Sequence, residues 1–437
     1  MINVRGWGSG ANAGRAGSSP ASATPRAPDR IRDREQHNVP HERGDAPVVT
    51  DARWCIVGPT HPYRGGIPRH TTLFSDAAIR SGLDITLMTF VRQYPGWLYK
   101  GSSDLDPDQV RPTALTPDYR LDGVRPDTWR RGARAIAASA PDVLVVIWWH
   151  PFFAPMVSTL LRQIRRRSPG TVRIALCHNV LPHESSPIDR FLVRRALAPA
   201  EGLVLHATSQ EVVASELLGP KPALVTPHPT YTVDAALSAP RRADRDRPVN
   251  LLFFGIVRHY KGVDVLLRAL PQVLRERSVR LVIAGEFWDP AQPYADLIHD
   301  LHLDGHVDLR PGYVPDDELT KLLVDADLMV APYRSATQSG AVEMAFGAGL
   351  PVIASRVGGL ADQVDDGTDG LLVPADDVAS LSRALLKATD HQTLDRLSAG
   401  ARSRATARTW TTLVTNVQRF SASLRANRVP FADVNDA

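Results

Sequence analysis

RWCIVGPTHPYRGGIPRHTTLFSDAAIRSGLDITLMTF, residues 53–90, is the stretch from which the fold is read. WCIVG is a short apolar run and predicts a strand. PTHPYRGGIP carries prolines and a glycine pair and predicts a loop. RHTTLFSDAAIRSG places apolar residues at helical spacing and meets a stop at Gly82. DITLMTF is a second strand. Strand, loop, helix and strand in that order predict a βαβ unit with parallel strands and a right-handed crossover.

The rhythm extends outward. WRRGARAIAASA predicts a helix, DVLVVIWW a buried strand, FFAPMVSTLLRQIRRRS a helix and VRIALCHNV a strand. SAPRRADRDRP, residues 238–248, is charged and proline-flanked, and predicts an interdomain linker. The alternation then restarts at NLLFFGIV and runs to two closing helices, DVASLSRALLKAT and WTTLVTNVQRFSASLRA. The expected fold class is α/β, with two tandem Rossmann-like domains facing across a cleft. The N-terminal domain is placed at 49–237 and the C-terminal domain at 249–408. Residues 1–48 are rich in breakers and mixed charge and predict a disordered tail. Its GSGANAG stretch, with Gly8, Gly10 and Gly14, has no strand before it and is not read as a dinucleotide loop.

The 437 residues are too many for one compact core. The net charge of +4 is too small an excess to argue by itself for nucleic acid, which needs a clustered basic surface, so no nucleic-acid partner is expected. Cys55 and Cys177 each sit in an apolar run, which predicts buried thiols and a reducing, cytoplasmic setting. No apolar run reaches the roughly 20 residues that span a bilayer, and no signal peptide is read at the N-terminus.

Chemistry concentrates after strands. In FFGIVRHYKG, Arg258 and Lys261 stand between a strand and a helix, where two cations and helix amides suit a diphosphate. A pair of solvated surface charges is the alternative. In YRSATQSGAVEMAFGAGLPVIASRVGG, the small-residue loop Thr337, Gln338, Ser339 and Gly340 opens a short helix whose amides can approach a ligand. Glu343 lies in its first turn, able to accept from ribose hydroxyls or merely to complement the helix dipole. Gly65 and Gly66 let PTHPYRGGIP turn tightly. His150 follows a buried strand in WWHPFFAP, as a hydrogen-bonding or proton-shuttling group or as a satisfied core histidine. His178, His183 and Glu184 in CHNVLPHE, and His299, His302 and His306 in IHDLHLDGH, lack a firm ligand spacing, so no metal is expected. Arg162, Arg165, Arg166, Arg190, Arg194 and Arg195 collect on two helices, a surface suited to anionic lipid headgroups or simply to water.

Taken together, FFGIVRHYKGVDVLLRAL and the block from Ala331 to Pro374 resemble the retaining glycosyltransferases of family four, which have the GT-B fold. The PYRGGI, WWHPFFAP and CHNVLPHE loops are similar to one branch of it. The resemblance covers the chain from about Arg53 onward. It implies transfer of a hexose from a nucleotide-diphosphate sugar to a glycan or lipid-linked acceptor, with retention of configuration, at the inner membrane face or in the cytoplasm. It implies that Lys261 and Arg258 grip the diphosphate, Glu343 the ribose, and Thr337 to Gly340 the sugar and phosphates. Gly65 and Gly66 would approach from across the cleft, His150 would face the sugar, and Tyr313, within Gly312–Val314, the nucleobase. It implies no cofactor or metal, and a last helix (409–427) that crosses back to the N-terminal domain. Two positions depart from the family pattern. Ser335 stands where the first of two glutamates is usual, and Ile256 where an arginine is usual. The rival readings are a nucleotide-sugar epimerase and a non-catalytic nucleotide-sugar-binding or scaffold member of the fold.

Overall fold

The computed structural model describes residues 52–95, 104–105, 115–182, 185–233 and 246–428. The expected tail, His183, Glu184 and most of the expected linker lie outside them. Two all-parallel sheets organise the described chain. The first runs β3-β2-β1-β4-β5-β6-β7 and the second β10-β9-β8-β11-β12-β13. In the first, the strands are β1 (Arg53–Val57), β2 (Asp84–Arg92), β3 (Asp118–Asp122), β4 (Val143–Trp148), β5 (Val172–Cys177), β6 (Gly202–Leu205) and β7 (Ala223–Val225). In the second they are β8 (Val249–Phe254), β9 (Val279–Gly285), β10 (Val307–Pro311), β11 (Leu328–Ala331), β12 (Val352–Ser355) and β13 (Gly370–Val373).

The helices are α1 (Gly66–Arg80), α2 (Pro126–Ser139), α3 (Ala154–Arg167), α4 (Pro187–Leu197), α5 (Thr208–Leu218), α6 (Val263–Leu274) and α7 (Gln292–Asp300). They continue with α8 (Asp316–Asp325), α9 (Gly340–Gly347), α10 (Gly358–Gln363), α11 (Val378–Ala388), α12 (His391–Ala407) and α13 (Trp410–Ala426). Central strands β4 and β5 are buried at every residue, as parallel strands covered on both faces must be. Cys55 and Cys177 are buried free thiols, and burial pushes the Cys55 thiol up to about 12.

Each sheet reverses its strand order once, between β1 and β4 in the first and between β8 and β11 in the second. Open α/β sheets bind ligands outside the carboxyl ends of the strands at such a reversal. The four loops that leave these strands are the four singled out above: 59–68 after β1, His150 after β4, Arg258 and Lys261 after β8, and 335–340 after β11.

The chain passes between the sheets twice, and the two passages are bonded together. The Thr230 N–H donates to the Arg408 carbonyl at 3.0 Å, and Trp410 Nε1 donates to the Thr230 carbonyl at 3.1 Å. Helix α13 then lies on the first sheet. Phe420 and Leu424 come so close to Gly202 that a Cβ there would sit 2.6 and 2.7 Å from them. Arg428 secures the end, donating to both Glu201 carboxylate oxygens at 2.8 Å.

Two details differ from the sequence reading. Strands β3, β6, β7 and β13 and helices α5, α10 and α12 were not predicted; the strands and α10 are runs of three to six residues with too little periodicity, whereas α5 and α12 span 11 and 17 residues. Arg247, expected in a solvated linker, is held on the second sheet, where it bonds both oxygens of buried Asp327 at 2.7 Å.

Candidate functional site

Residue Gly262 sets the cation turn. It adopts φ +66°, and a Cβ there would meet the Pro332 carbonyl at 2.0 Å, so only glycine lets the turn press against the end of β11. Arg334 locks the two loops together. Its N–H donates to the Tyr260 carbonyl and its Nη1 to the His259 carbonyl, both at 2.7 Å, and its fork grips Asp264 at 2.9 Å. Gly262→Ala is expected to lose about 2 kcal/mol from backbone strain and the displaced loop, read as a lowered melting temperature together with weakened nucleotide binding.

With the loops so placed, a continuous chain of contacts forms. Lys261 Nζ lies 3.8 Å from the centre of the Tyr333 ring. The Tyr333 hydroxyl is 3.3 Å from Ser339 Oγ. The Ser339 N–H donates to Gln363 Oε1 at 2.7 Å, and Gln363 Nε2 donates to Glu343 Oε1 at 2.8 Å. Arg258 and Lys261 flank the same ring, Tyr260, at 5.4 and 5.5 Å. Neither cation has a carboxylate partner among the described residues.

The sequence reading expected open amides at Ser339 and Gly340. The Ser339 amide is instead taken by Gln363, while its hydroxyl caps α9 by accepting from the Val342 N–H at 3.3 Å. The amides of Gly340 and Ala341 have no partner among the described residues and remain for a ligand. Thr337 Oγ1 contacts Asn179 Oδ1, joining the β11 loop to the end of β5, and Gln338 Nε2 is buried without a partner among the described residues.

Glu343 is fully buried. Burial pushes its carboxyl up to about 7, against the pull of Gln363, Arg408 and Arg404. Oε1 is satisfied by Gln363, whereas Oε2 has no partner among the described residues. A buried acceptor left open calls for a donor such as a ligand hydroxyl.

From the first sheet, Gly65 (φ +110°) and Gly66 begin α1, and a Cβ on either would meet nothing within 4 Å. Tyr231 stands between this helix start and that of α9. Its hydroxyl donates to the Gly66 carbonyl at 3.3 Å, and its ring edge comes within 3.9 Å of a Cβ built on Gly340. Tyr231 thus touches the starts of both helices. Arg64 spans the sheets to Glu286 at 3.2 Å and lies 5.0 Å from the centre of the half-exposed Tyr313 ring.

His150 stands at the carboxyl end of β4, exposed on one side. Its Nδ1 accepts from the Phe152 N–H at 3.1 Å. Desolvation lowers its pKa against the opposing pull of Asp189 in α4; with Nδ1 accepting, a neutral ring carries its proton on Nε2. Its described contacts are with the Phe152 N–H and, electrostatically, with Asp189 of α4. Sequence reasoning missed Tyr333, Gln363, Tyr231, Asn179 and Arg64. Gln363 lies twenty residues past Glu343, and no spacing rule links them.

Residues 248–391 match the family described as Glycosyl transferases group 1. The chain is 28% identical over 402 residues to glycogen synthase of Mycobacterium tuberculosis, covering 84% of this chain and 93% of that protein. It is 31% identical over 306 residues to D-inositol 3-phosphate glycosyltransferase 1 of Catenulispora acidiphila, covering 63% of this chain and 71% of that one. Its fold is similar to that of sucrose-phosphate synthase from Thermosynechococcus elongatus, with TM-score 0.64 and 18% identity over 86% of this chain and 99% of that chain.

Proposed function

The chain belongs to the group 1 glycosyltransferases, and on that premise we propose that it moves a hexose from a nucleotide-diphosphate sugar to a glycan or lipid-linked acceptor with retention of configuration. The observation that carries this reading is the run of contacts from Lys261 through Tyr333, Ser339 and Gln363 to Glu343. It links a cation to a buried carboxylate oxygen without a partner among the described residues, which supports a diphosphate at one end and a ribose at the other.

The chemical problem is departure of a nucleoside diphosphate from the anomeric carbon. As that C–O bond breaks, charge grows on the phosphate oxygens. Lys261, Arg258 and the amides of Gly340 and Ala341 are fixed donors for that charge, each contributing on the order of 3 kcal/mol. The acceptor hydroxyl attacks from the leaving-group side. Its oxygen bonds to the anomeric carbon, and its proton passes to the departing phosphate oxygen. Ser335 in place of a carboxylate supplies no enzymatic nucleophile, which fits this front-side route. His150 offers Nε2–H to a sugar hydroxyl. Built-in cations do the work a metal would do at the diphosphate. A panel of UDP-, GDP- and ADP-sugars, followed by calorimetry and donor hydrolysis, tests this reading. Saturable binding and slow hydrolysis of one donor are expected. Binding without any turnover would favour a scaffold role, and no binding at all would remove the proposal.

A lipid-linked acceptor is favoured by α4. Ile188 is 69% and Phe191 63% exposed, one turn apart, beside exposed Arg190, Arg194 and Arg195. Apolar anchors within a basic helix suit an anionic membrane surface, and the first turn of this helix holds Asp189, the neighbour of His150. The protein is expected to co-float with vesicles rich in phosphatidylglycerol but not with phosphatidylcholine alone. Ile188→Glu with Phe191→Glu should cut the bound fraction at least tenfold without changing the melting temperature.

A further inference from the structure

Four histidines from four separate segments meet inside the first sheet's side of the molecule. His70 comes from α1, His178 follows β5, His206 follows β6, and His228 follows β7. The His70 ring centre lies 4.4, 5.4 and 5.0 Å from those of His178, His206 and His228. All four are buried, and His70 is wholly so. Both ring nitrogens of His70, and Nε2 of His178 and of His206, have no hydrogen-bond partner among the described residues. Buried polar atoms are rarely left so, and a cluster of them marks a missing water or ion.

The hydrogen bonds that do exist orient the rings. His206 Nδ1 bonds the Thr226 carbonyl at 3.0 Å, and His228 Nδ1 the Pro229 carbonyl at 2.6 Å. A carbonyl can only accept, so in both rings Nδ1 carries the proton and Nε2 keeps its lone pair. Backbone carbonyls fix metal-binding imidazoles in this way. One nitrogen from each of His70, His178 and His228 lies within 4.8 Å of the other two. A tetrahedral ion with nitrogen bonds of ~2.0–2.1 Å needs a modest inward turn of the rings. Buried neutral imidazoles with no carboxylate among them suit a zinc-like ion and not magnesium or calcium.

We propose that His70, His178 and His228 bind one divalent transition-metal ion of the zinc, cobalt or nickel type, with the His206 ring beside them, its centre 5.0–6.0 Å from theirs. This inference does not rest on the sugar-transfer reading, and it departs from the sequence expectation of no metal. That expectation weighed His178 only with its sequence neighbours His183 and Glu184, and separately His299, His302 and His306. The histidines that meet instead stand singly in sequence, on segments only the fold brings together. An ion here would tie α1, which begins at the glycine pair, to the ends of β5 and β7 and to the passage toward the second sheet. Trp410, where the returning helix starts, packs on His70 at 4.9 Å.

The test uses the full chain, purified without a polyhistidine tag, stripped by dialysis and titrated with Co²⁺ and then Zn²⁺. One Co²⁺ per chain is expected, with visible absorption bands of tetrahedral cobalt that Zn²⁺ abolishes, and a rise in melting temperature with added Zn²⁺. His228→Gln and His70→Phe should each weaken Zn²⁺ binding by more than the ~10–100-fold that loss of an outer partner costs, while His299→Ala leaves it unchanged. The wild-type titration stands even if a variant fails to fold. A wild-type chain that binds no Co²⁺ in stoichiometric amount, or one whose binding survives in His228→Gln, overturns the proposal.

Discussion

Replacing Lys261 with alanine is expected to lower kcat/KM for sugar transfer by ~10²–10³, the loss that follows removal of one fixed donor to a developing anion. The melting temperature should fall by only a few degrees. The ammonium group is half-buried over the Tyr333 ring at 3.8 Å and serves no carboxylate among the described residues. Its removal therefore strands no buried anion and forfeits a cation–π contact worth about 1 kcal/mol. Lys261→Arg keeps the charge but places a planar fork where a point charge sat, so it should recover only part of the rate. Steady-state kinetics beside a thermal melt decide the matter. Near-wild-type turnover in Lys261→Ala would sink the assignment of the diphosphate site.

Donor affinity is expected to weaken as pH falls through about 7, approaching tenfold per unit below it, and Glu343→Gln should abolish that dependence. The sign follows from the raised carboxyl, which burial pushes up to about 7. Ribose hydroxyls donate, so they need the ionised form, and protons compete with the donor. Stability of the ligand-free protein runs the other way. A carboxyl whose pKa is raised on folding contributes fully below its unfolded value, near 4.5, and the contribution is lost as pH rises through about 7. Glu343→Ala should raise the donor Kd by roughly one to two orders of magnitude, since Gln363 is left with an unmet donor as well. Calorimetric titration of the nucleotide diphosphate between pH 5.5 and 8.5 reads both effects. A flat profile in the wild type would remove Glu343 from the donor site.

The architecture was legible because β1, β8 and their partners are short apolar runs separated by helices of regular period. The order of loops at the strand ends followed from that alternation, which puts Arg258, Lys261, Gly65 and Gly340 just past strand ends. What sequence could not supply was pairing. Gln363 holds Ser339 and Glu343 together, yet it sits in a six-residue helix with no pattern of its own. Arg64 and Glu286 are 222 positions apart. The Ser339 amide looked open because its partner comes from another element. The influence of Asp189 on His150 likewise joins two elements that no sequence spacing connects.

The doubled crossing bears on modular engineering. Because Trp410 and Arg428 seat the final helix on the first sheet, the gene does not divide into two halves at one junction. A chimera meant to import another donor specificity would need two seams, one after position 233 and one before 409, leaving the closing segment native. A graft with a single seam would carry a foreign α13 onto Gly202, where anything bulkier than Phe420 and Leu424 cannot fit.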